Sequence, residues 1–346
     1  MMKHSFVKFV LTTSLSLAVL TGSMAGPSLA QAPADTPLQA TALTPLGYLL
    51  AYTGMVYGEG GGFMKDAGLD LKVEAAQGSS QAIQLLLSGQ ALVARGAGID
   101  VMNAVANSNV PVVAIATVAH IAPLQIISAA DNPIRGPKDM VGKTIGVASF
   151  GGASDQTLQL ILAHDNIDAK SVKRQVVGPS AGSFGLVQEK KIDAFVGTNA
   201  AVAELTARNV PFVHFATNDV VPVPGQVYIT TVENVSKKSE ELKRFLIGAR
   251  AAFEDAERQI ASGDITKLLA AVKKYSVPEA SNPSSALQGI RIESASWMAN
   301  GRDKLLQNNP EAWQSATAAA VEAKMLKPTD ATKFYTNEIW NKAFVK

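Results

Sequence analysis

The chain has 346 residues, 47% hydrophobic and 17% charged, and no cysteine. That length suffices for two core-bearing domains, and the missing cysteine excludes disulfides and a lipobox. Basic residues number 31 against 29 acidic ones, a formal net charge of +2. Lys3, His4 and Lys8 precede an apolar run from Phe9 to Leu20, and Ser28-Leu29-Ala30 supplies small residues for cleavage. This pattern predicts a secretory signal peptide over 1–30, cut near Ala30. The apolar run is short and broken by Thr and Ser, which argues against a membrane anchor. The leader holds two basic residues and no acid, so the mature chain balances 29 against 29. Charge therefore gives no support to a nucleic-acid or anionic-membrane partner. The exported protein is expected in the periplasm of a host with two membranes. Residues 31–41 have the composition of a disordered linker.

A strand is predicted from Ala42 towards Tyr52, then a helix from Met55 that Gly58, Gly60, Gly61 and Gly62 interrupt. Each glycine costs roughly 1 kcal/mol in a helix interior, so that helix should be short. Strand 69–75 follows, then a helix over 81–87 with Ser79 or Ser80 as N-cap. Strand 91–94, a helix to Ala106 and strands 112–119 and 124–130 complete a βαβ rhythm that argues for a parallel sheet. The rhythm restarts with strands at 143–149, 172–177, 192–197 and 211–216 and helices between them. Gly89–Gly96 echoes Lys190–Gly197: helix end, short turn, buried strand, glycine at the tip. Two similar domains fit this better than a solenoid. After a strand at 227–231 the chain turns helical. Leu242, Phe245, Leu246, Ala249, Phe253, Ala256 and Ile260 follow helical spacing. Further helices are predicted at 264–275, 284–300, 310–324 and 330–344, with Trp297, Trp313 and Trp340 as core.

The stretch Arg135–Leu158 reads as a helical turn, a left-handed stop at Gly142, a strand at 144–147, the loop Gly151-Gly152 and a helix starting near Ala153 or Ser154. Free N–H groups at that helix start would face the bend, the geometry of a small-molecule site at a strand end.

Other motifs lack their context. Gly178-Pro179-Ser180-Ala181-Gly182 matches the nucleophile-elbow pattern, but a triad would need Asp193 and His214 close by in sequence. A serine hydrolase using Ser180 is therefore a minor alternative, with Ser180 as a helix cap the plain reading. The 58–62 glycines meet Phe63 where a dinucleotide fingerprint needs its last glycine, and no P-loop lysine follows. His120, His164 and His214 lack metal-ligand spacing. No metal or cofactor is expected. His120 follows a strand end and is assigned a structural role ahead of a ligand contact.

The leader, the doubled α/β pattern and the helical tail resemble ABC-importer periplasmic substrate-binding proteins of the nitrate/sulfonate/taurine type. The matching segments are Gly62–Leu69, Leu86–Gly89, Pro137–Val147, Ile192–Ala194 and Glu240–Leu246. Leu92 stands where that family usually has Asp, and Lys190 where it has Gly. The resemblance implies a two-lobed type II periplasmic-binding-protein fold with a helical C-terminal flank. One lobe would comprise 42–130 and 221–346, the other 131–220. Crossings are expected near 128–134 and 217–226, the second a hinge with Pro222, Pro224 and Gly225.

The resemblance further implies an interlobe site. Its candidates are Tyr52, Thr53, Ser79, Ser80, Gly96 and Ala97 in one lobe, and Ser149, Gly152, Ala153, Ser154 and Asn199 in the other. Helix N-termini favour an anion. Arg95 reads first as a surface ion pair and second as a bidentate clamp. Asp155, if it faces the cleft, would prefer an amine, a zwitterion or a heterocycle; otherwise it serves its helix dipole. The expected function is non-enzymatic solute binding for an ABC permease of the inner membrane, by a monomer. The alternatives are a binder of a pyrimidine or flavin-type vitamin precursor, and a ligand-sensing partner of a membrane receptor. The related thiamine-pyrimidine synthases use cysteine, which this chain lacks.

Overall fold

The computed structural model describes residues 37–345 except 121–123 and 222. The expected leader, its cleavage point, linker residues 31–36 and the hinge residue Pro222 lie outside the described residues. In chain order come β1 (Leu38–Thr44), α1 (Thr53–Gly60), α2 (Phe63–Asp66), β2 (Leu69–Ala75), α3 (Ser79–Leu87), β3 (Val93–Ala97), α4 (Gly98–Ser108) and β4 (Val112–Thr117). Then follow β5 (Leu124–Ala129), β6 (Thr144–Val147), α5 (Ala153–His164), β7 (Lys173–Val176), α6 (Phe184–Gln188), β8 (Ala194–Thr198), α7 (Asn199–Ala207) and β9 (Phe212–Ala216). The chain ends with β10 (Gln226–Thr231), α8 (Val232–Lys237), α9 (Ser239–Ser262), α10 (Thr266–Val272), α11 (Pro283–Trp297), α12 (Pro310–Glu322) and α13 (Glu338–Phe344).

Two five-stranded sheets form, ordered β2-β1-β3-β10-β4 and β7-β6-β8-β5-β9. In each, four strands run in one direction, and the fourth in order runs antiparallel to them. That antiparallel strand is the one arriving from the other sheet: β10 follows β9, and β5 follows β4. The sheets are thus mixed rather than purely parallel. They repeat one topology, which is the fold-level form of the sequence echo. Leu92 donates its N–H to Thr41 O at 2.8 Å, and Asp193 donates to Thr144 O at 2.8 Å, at matching places.

Two expected boundaries are corrected. Residues 38–41 are not linker but the first half of β1, in parallel register with Leu69–Lys72. The alternation Leu38-Gln39-Ala40-Thr41-Ala42 is a strand pattern hidden by its polar neighbours. The strand 124–129 does not belong to the first lobe: it pairs with β8 and β9 in the second. The first crossing therefore lies between β4 and β5, not at 128–134. The second crossing lies between β9 and β10, as expected.

Helices cover both faces of each sheet. On one face of the first sheet, Phe245, Phe253 and Leu246 from α9 pack with Met55 and Tyr57 from α1. On its other face, Ala82 and Leu86 of α3 meet Met102 of α4 and Trp313 of α12. Fully burying each large side chain contributes about 1.5–3 kcal/mol. Trp297, Trp313 and Trp340 are all buried, as the helical spacing predicts. The second sheet carries Leu158 and Ile161 of α5 on one face, and Phe184 and Leu205 on the other. Gly62, at φ 86°, breaks the interrupted helix into α1 and α2, and Gly142, at φ 78°, makes the left-handed stop before β6.

Candidate functional site

The sheet ends that face each other enclose a cavity of about 90 Å³. Tyr52, Ser79, Arg95, Gln226 and Glu293 line it from the first lobe; Ala148, Ser149, Ala153, Ser154 and Thr198 line it from the second. A larger groove of about 990 Å³ lies between 263 and 287 on the outer helical flank. No strand contributes to that groove, so the strand-end cavity is the candidate site.

Arg95 dominates the cavity. It lies inside β3, a strand buried along its whole length, and is only 1% exposed. Its Nε donates to Gln226 Oε1 at 3.3 Å. Its guanidinium stands over the Tyr52 ring, 5.0 Å from the centroid, a cation–π contact. Among the described residues, neither Nη1 nor Nη2 meets a partner within hydrogen-bond geometry, although the buried Tyr228 hydroxyl stands close enough to interact with the guanidinium. The surface ion pair expected for Arg95 is therefore replaced by a desolvated cation on the cavity wall. The physical reason is that β3 continues three residues beyond Ala94 and carries Arg95 inward.

Glu293 is the acid among the lining residues. It is 4% exposed, and its Oε2 has no partner among the described residues. Burial pushes its carboxyl up to about 7; Arg95 opposes that shift and Glu279 adds to it. Burial likewise raises the Tyr52 phenol above its ordinary value, so Tyr52 presents a neutral ring.

The N-termini of α3 and α5 open on the cavity from opposite lobes, since Gly78, Ser79, Ala153 and Ser154 all line it. Neither helix has a side-chain cap: Gly78 and Gly152 occupy the N-cap positions. The expected capping by Ser79 or Ser80 does not occur, because the helix begins at Ser79, two residues earlier than the pattern implies. The glycine loop has a specific reason. A Cβ on Gly152 would lie 2.2 Å from Ser149 Oγ, and one on Gly78 would lie 3.3 Å from the same atom. The loop bends around Ser149, which is wedged between the lobes.

The cavity gathers five of the eleven expected residues: Tyr52, Ser79, Ser149, Ala153 and Ser154. The other six do other work. Thr53 Oγ1 donates to Leu50 O at 2.6 Å. Ser80 Oγ donates across the lobes to Gly151 O at 3.2 Å. Gly96 is packed under Ile229, and Ala97 N–H is bound by Asp100 at 2.9 Å. Gly152 stands behind Ser149, and Asn199 Oδ1 accepts from Gln125 at 2.9 Å. Gln226 and Glu293 are among the lining residues that the strand-tip argument misses, as are Leu124, Ala148, Pro179 and Thr198. Glu293 carries a readable signal: with Ala286, Ile290 and Trp297 it forms the buried stripe of α11, where an acid is out of place.

Asp155 does not line the cavity. It is 2% exposed, accepts Arg174 Nη1 at 2.8 Å and accepts the Gly151 N–H at 2.8 Å. His120 is also elsewhere: its Nδ1 meets Asn300 Nδ2 at 2.9 Å, and burial lowers its pKa to about 4. The hydrolase constellation is not assembled. Asp193 accepts from Thr144 N–H at 2.8 Å and from Lys143 Nζ at 3.3 Å, while His214 Nδ1 meets Gln125 Oε1 at 3.0 Å. Among the described residues, no group of three or more His, Asp or Glu could hold a metal ion, and no helix is long and apolar enough to cross a membrane.

The lobes touch where α11 packs on α7, with Gly289 against Ala200, where Leu160 of α5 enters the first lobe's core, and through polar contacts. Gln156 Nε2 of α5 donates to Asp100 Oδ1 of α4 at 2.9 Å, and Asn103 Nδ2 of α4 donates to Gln156 Oε1. Burial raises the Asp100 carboxyl to about 6.

No curated protein matches the sequence. A solved structure from Bordetella bronchiseptica RB50 has TM-score 0.72 at 20% identity, over 88% of this chain and 96% of that one. The periplasmic aliphatic sulphonate binding protein SsuA from Escherichia coli gives TM-score 0.57 at 12% identity, over 90% of this chain and 100% of that one. The periplasmic nitrate-binding protein NrtA from Synechocystis PCC 6803 gives TM-score 0.61 at 14% identity, over 89% and 88% of the two chains. The desulfurization enzyme DSZB has TM-score 0.55 at 12% identity, over 88% and 98%. At such identities the likeness is one of fold, which binding proteins and an enzyme share. The fold is that of the periplasmic binding proteins. The NMT1/THI5-like family model matches residues 50–259, and the chain belongs to that family.

Proposed function

We propose that this chain is the extracytoplasmic solute-binding component of an ABC importer, and that it holds a small solute by an anionic group on Arg95. One observation carries the reading: a buried guanidinium with two unpartnered nitrogens, in a cavity walled by both lobes. A buried charge without partners costs several kcal/mol or more. An anion that engages both nitrogens recovers that cost on binding and supplies bidentate geometry. The N-termini of α3 and α5 add partial positive charge from either side. Two neighbours are named for a sulphonate and for nitrate, which agrees in sign with a cationic site.

Size supports a solute of few heavy atoms. A cavity of about 90 Å³ is several times the roughly 10–15 Å³ that a single water needs. A flavin-sized heterocycle would need the lobes to part. Binding rather than catalysis is supported by the separate engagements of Asp193 and His214, and by the absence of cysteine from the sequence. Release to a permease would proceed by lobe opening about the two crossings, separating α5 from α4 and α12 and α11 from α7.

Isothermal titration of the mature protein with nitrate, acetate, methanesulfonate, ethanesulfonate and propionate tests this. We expect at least one anion to bind, and Arg95→Gln to weaken it at least tenfold. Anion binding that survives Arg95→Gln unchanged would remove the basis of the reading.

A further inference from the structure

We propose that Gln226 is the positioning residue of the site. Its side chain aims Arg95 from the point where both interlobe crossings leave the first lobe, so that occupancy of Arg95 is felt at the hinge. The proposal rests on the anion reading above and deepens it by naming what regulates that site.

A guanidinium is a planar fork, and two constraints fix where its outer edge points. Tyr52 holds the face of the Arg95 plane, its ring centroid 5.0 Å from Cζ. Gln226 holds the inner edge, Oε1 accepting from Nε at 3.3 Å. Nη1 and Nη2 are left on the outer edge, without a partner in hydrogen-bond geometry among the described residues. Tyr228, the register partner of Arg95 on β10, brings its buried hydroxyl near the same group. Glu293 lines the same cavity. A guanidinium released from Gln226 would be drawn to that carboxyl, because opposite charges attract strongly in a dry interior. Its outer nitrogens would then be taken up by the protein itself.

The backbone of the same residue joins the two crossings. β10 begins at Gln226, where the second crossing ends. The Gln226 carbonyl accepts the N–H groups of Val118 at 2.7 Å and Ala119 at 3.0 Å. These are the first residues beyond β4, where the other crossing starts. Just upstream, the carbonyls of Pro224 and Gly225 accept the Gly98 N–H at 3.2 and 2.9 Å. The fit there is close: a Cβ on Gly98 would lie 2.6 Å from Pro224 O. Both crossings are thus fixed to the first lobe at one residue, and a rotation of the lobes turns about it. An anion on Nη1 and Nη2 orders the guanidinium and, through Nε, the Gln226 side chain. That steadies the carbonyl to which Val118 and Ala119 donate. Ordering at one end of such a chain lowers the cost of ordering at the other.

The test is a double-mutant cycle on Gln226→Met and Arg95→Lys. Gln226→Met keeps the side-chain length and the backbone carbonyl but removes the acceptor. Arg95→Lys keeps the cation but has no Nε, so it breaks the same bond from the other end. Each protein is titrated with nitrate, acetate, methanesulfonate, ethanesulfonate and propionate, with circular dichroism confirming its fold. Amide hydrogen exchange at Val118 and Ala119 is then followed with and without a saturating amount of the tightest of these anions. We expect Gln226→Met to weaken that anion at least fivefold when Arg95 is present and less than twofold in the Arg95→Lys background. A residue that served only the fold would act equally in both. The anion should slow exchange at Val118 and Ala119 at least threefold in the unmodified protein, and this slowing should vanish in Gln226→Met and in Arg95→Lys. Arg95→Lys alone decides the exchange test if Gln226→Met does not fold. Equal weakening in both backgrounds, or none in either, removes Gln226 as the positioning residue while the anion site stands. Slowing that is absent from the unmodified protein, or that survives the variants, removes the link to the crossings and again leaves the anion site. If no anion of the panel binds, the anion reading falls and this one falls with it.

Discussion

Asp155 and Arg174 form a pair at 2.8 Å, with the carboxylate 2% exposed as a residue and the guanidinium reaching it from β7. The pair turns an acid at the mouth of α5 into a structural element. The acid on the cavity wall is Glu293 of α11 instead. Asp155 still complements the α5 dipole from its first turn.

Arg174→Met should leave Asp155 with the Gly151 N–H as its remaining partner. The Arg174 side chain is 34% exposed, so solvent screens part of the pair. We expect a loss of about 1–2 kcal/mol in urea denaturation, at the lower end for a broken partly buried pair. Affinity for any solute held by Arg95 should change less than twofold, because Asp155 is not on the cavity wall. A large affinity change on titration would place Asp155 in the site after all.

Gln156 of α5 bonds to α4 beside the apolar contact of Leu160 with the same helix's cluster. It donates to Asp100 at 2.9 Å and accepts from Asn103. Each such bond is worth about 0.5–1.5 kcal/mol net. Gln156→Ala should therefore raise the open population of the empty protein by roughly tenfold. Small-angle scattering of the unliganded variant should give a larger radius of gyration than the parent, and a saturating ligand should restore compaction. Equal radii in the two empty proteins would show that these bonds do not hold the lobes together.

Glu293 should make stability depend on pH in a defined direction. Its carboxyl rises from an ordinary 4.5 to about 7 on folding, with burial the largest cause. The folded chain therefore keeps a proton that the unfolded chain has lost over that interval. Stability falls as pH rises from 4.5 to about 7 and levels off above it. The groups facing Glu293 are Arg95, Glu279 and Tyr52, and of these Arg95 works against the shift. Asp100 contributes in the same direction and His120 in the opposite one, because its pKa drops to about 4. Both cancel in a comparison between variants. Glu293→Gln should be about 2–3 kcal/mol more stable than the parent at pH 8 and equal to it at pH 4.5. Denaturation at both pH values reads this directly, and an advantage that is the same at both would deny Glu293 its buried, proton-holding state.

Much of this architecture is legible in the sequence because α/β periodicity is local. The strands at 69–75, 112–117 and 226–231 and the long apolar stripe of α9 each declare themselves from their own residues. Pairing is not local, which is why β5 reads as the end of one lobe when its partners β8 and β9 place it in the other. The site divides along the same line. Tyr52, Ser79 and Ser149–Ser154 follow from strand ends and helix starts. Arg95 is visible as a residue but not as a buried one, because Gly96-Ala97-Gly98 looks like a loop and is in fact the end of β3 and the start of α4. The partner of Asp155 lies 19 residues away on an edge strand, a distance that no spacing rule announces.

Gly89 and Lys190 occupy equivalent places in the two lobes, each after a helix and before the turn into a buried strand. Both are left-handed, with φ 74° for Gly89 and 56° for Lys190. For an L-residue with a side chain that conformation costs about 1–2 kcal/mol, whereas glycine adopts it freely at some expense in chain entropy. A Cβ on Gly89 would meet no atom within 4 Å, so Gly89→Ala isolates the backbone term from packing. It should destabilise the protein by about 1 kcal/mol. Lys190→Gly should do the reverse by about 0.5–1 kcal/mol, since the lysine is exposed and makes no ion pair among the described residues that the change would remove. Urea midpoints at fixed slope measure both. Opposite signs would show that the two lobes impose the same backbone on different residues; a destabilised Lys190→Gly would mean that its side chain contributes to folding in a way its geometry does not reveal.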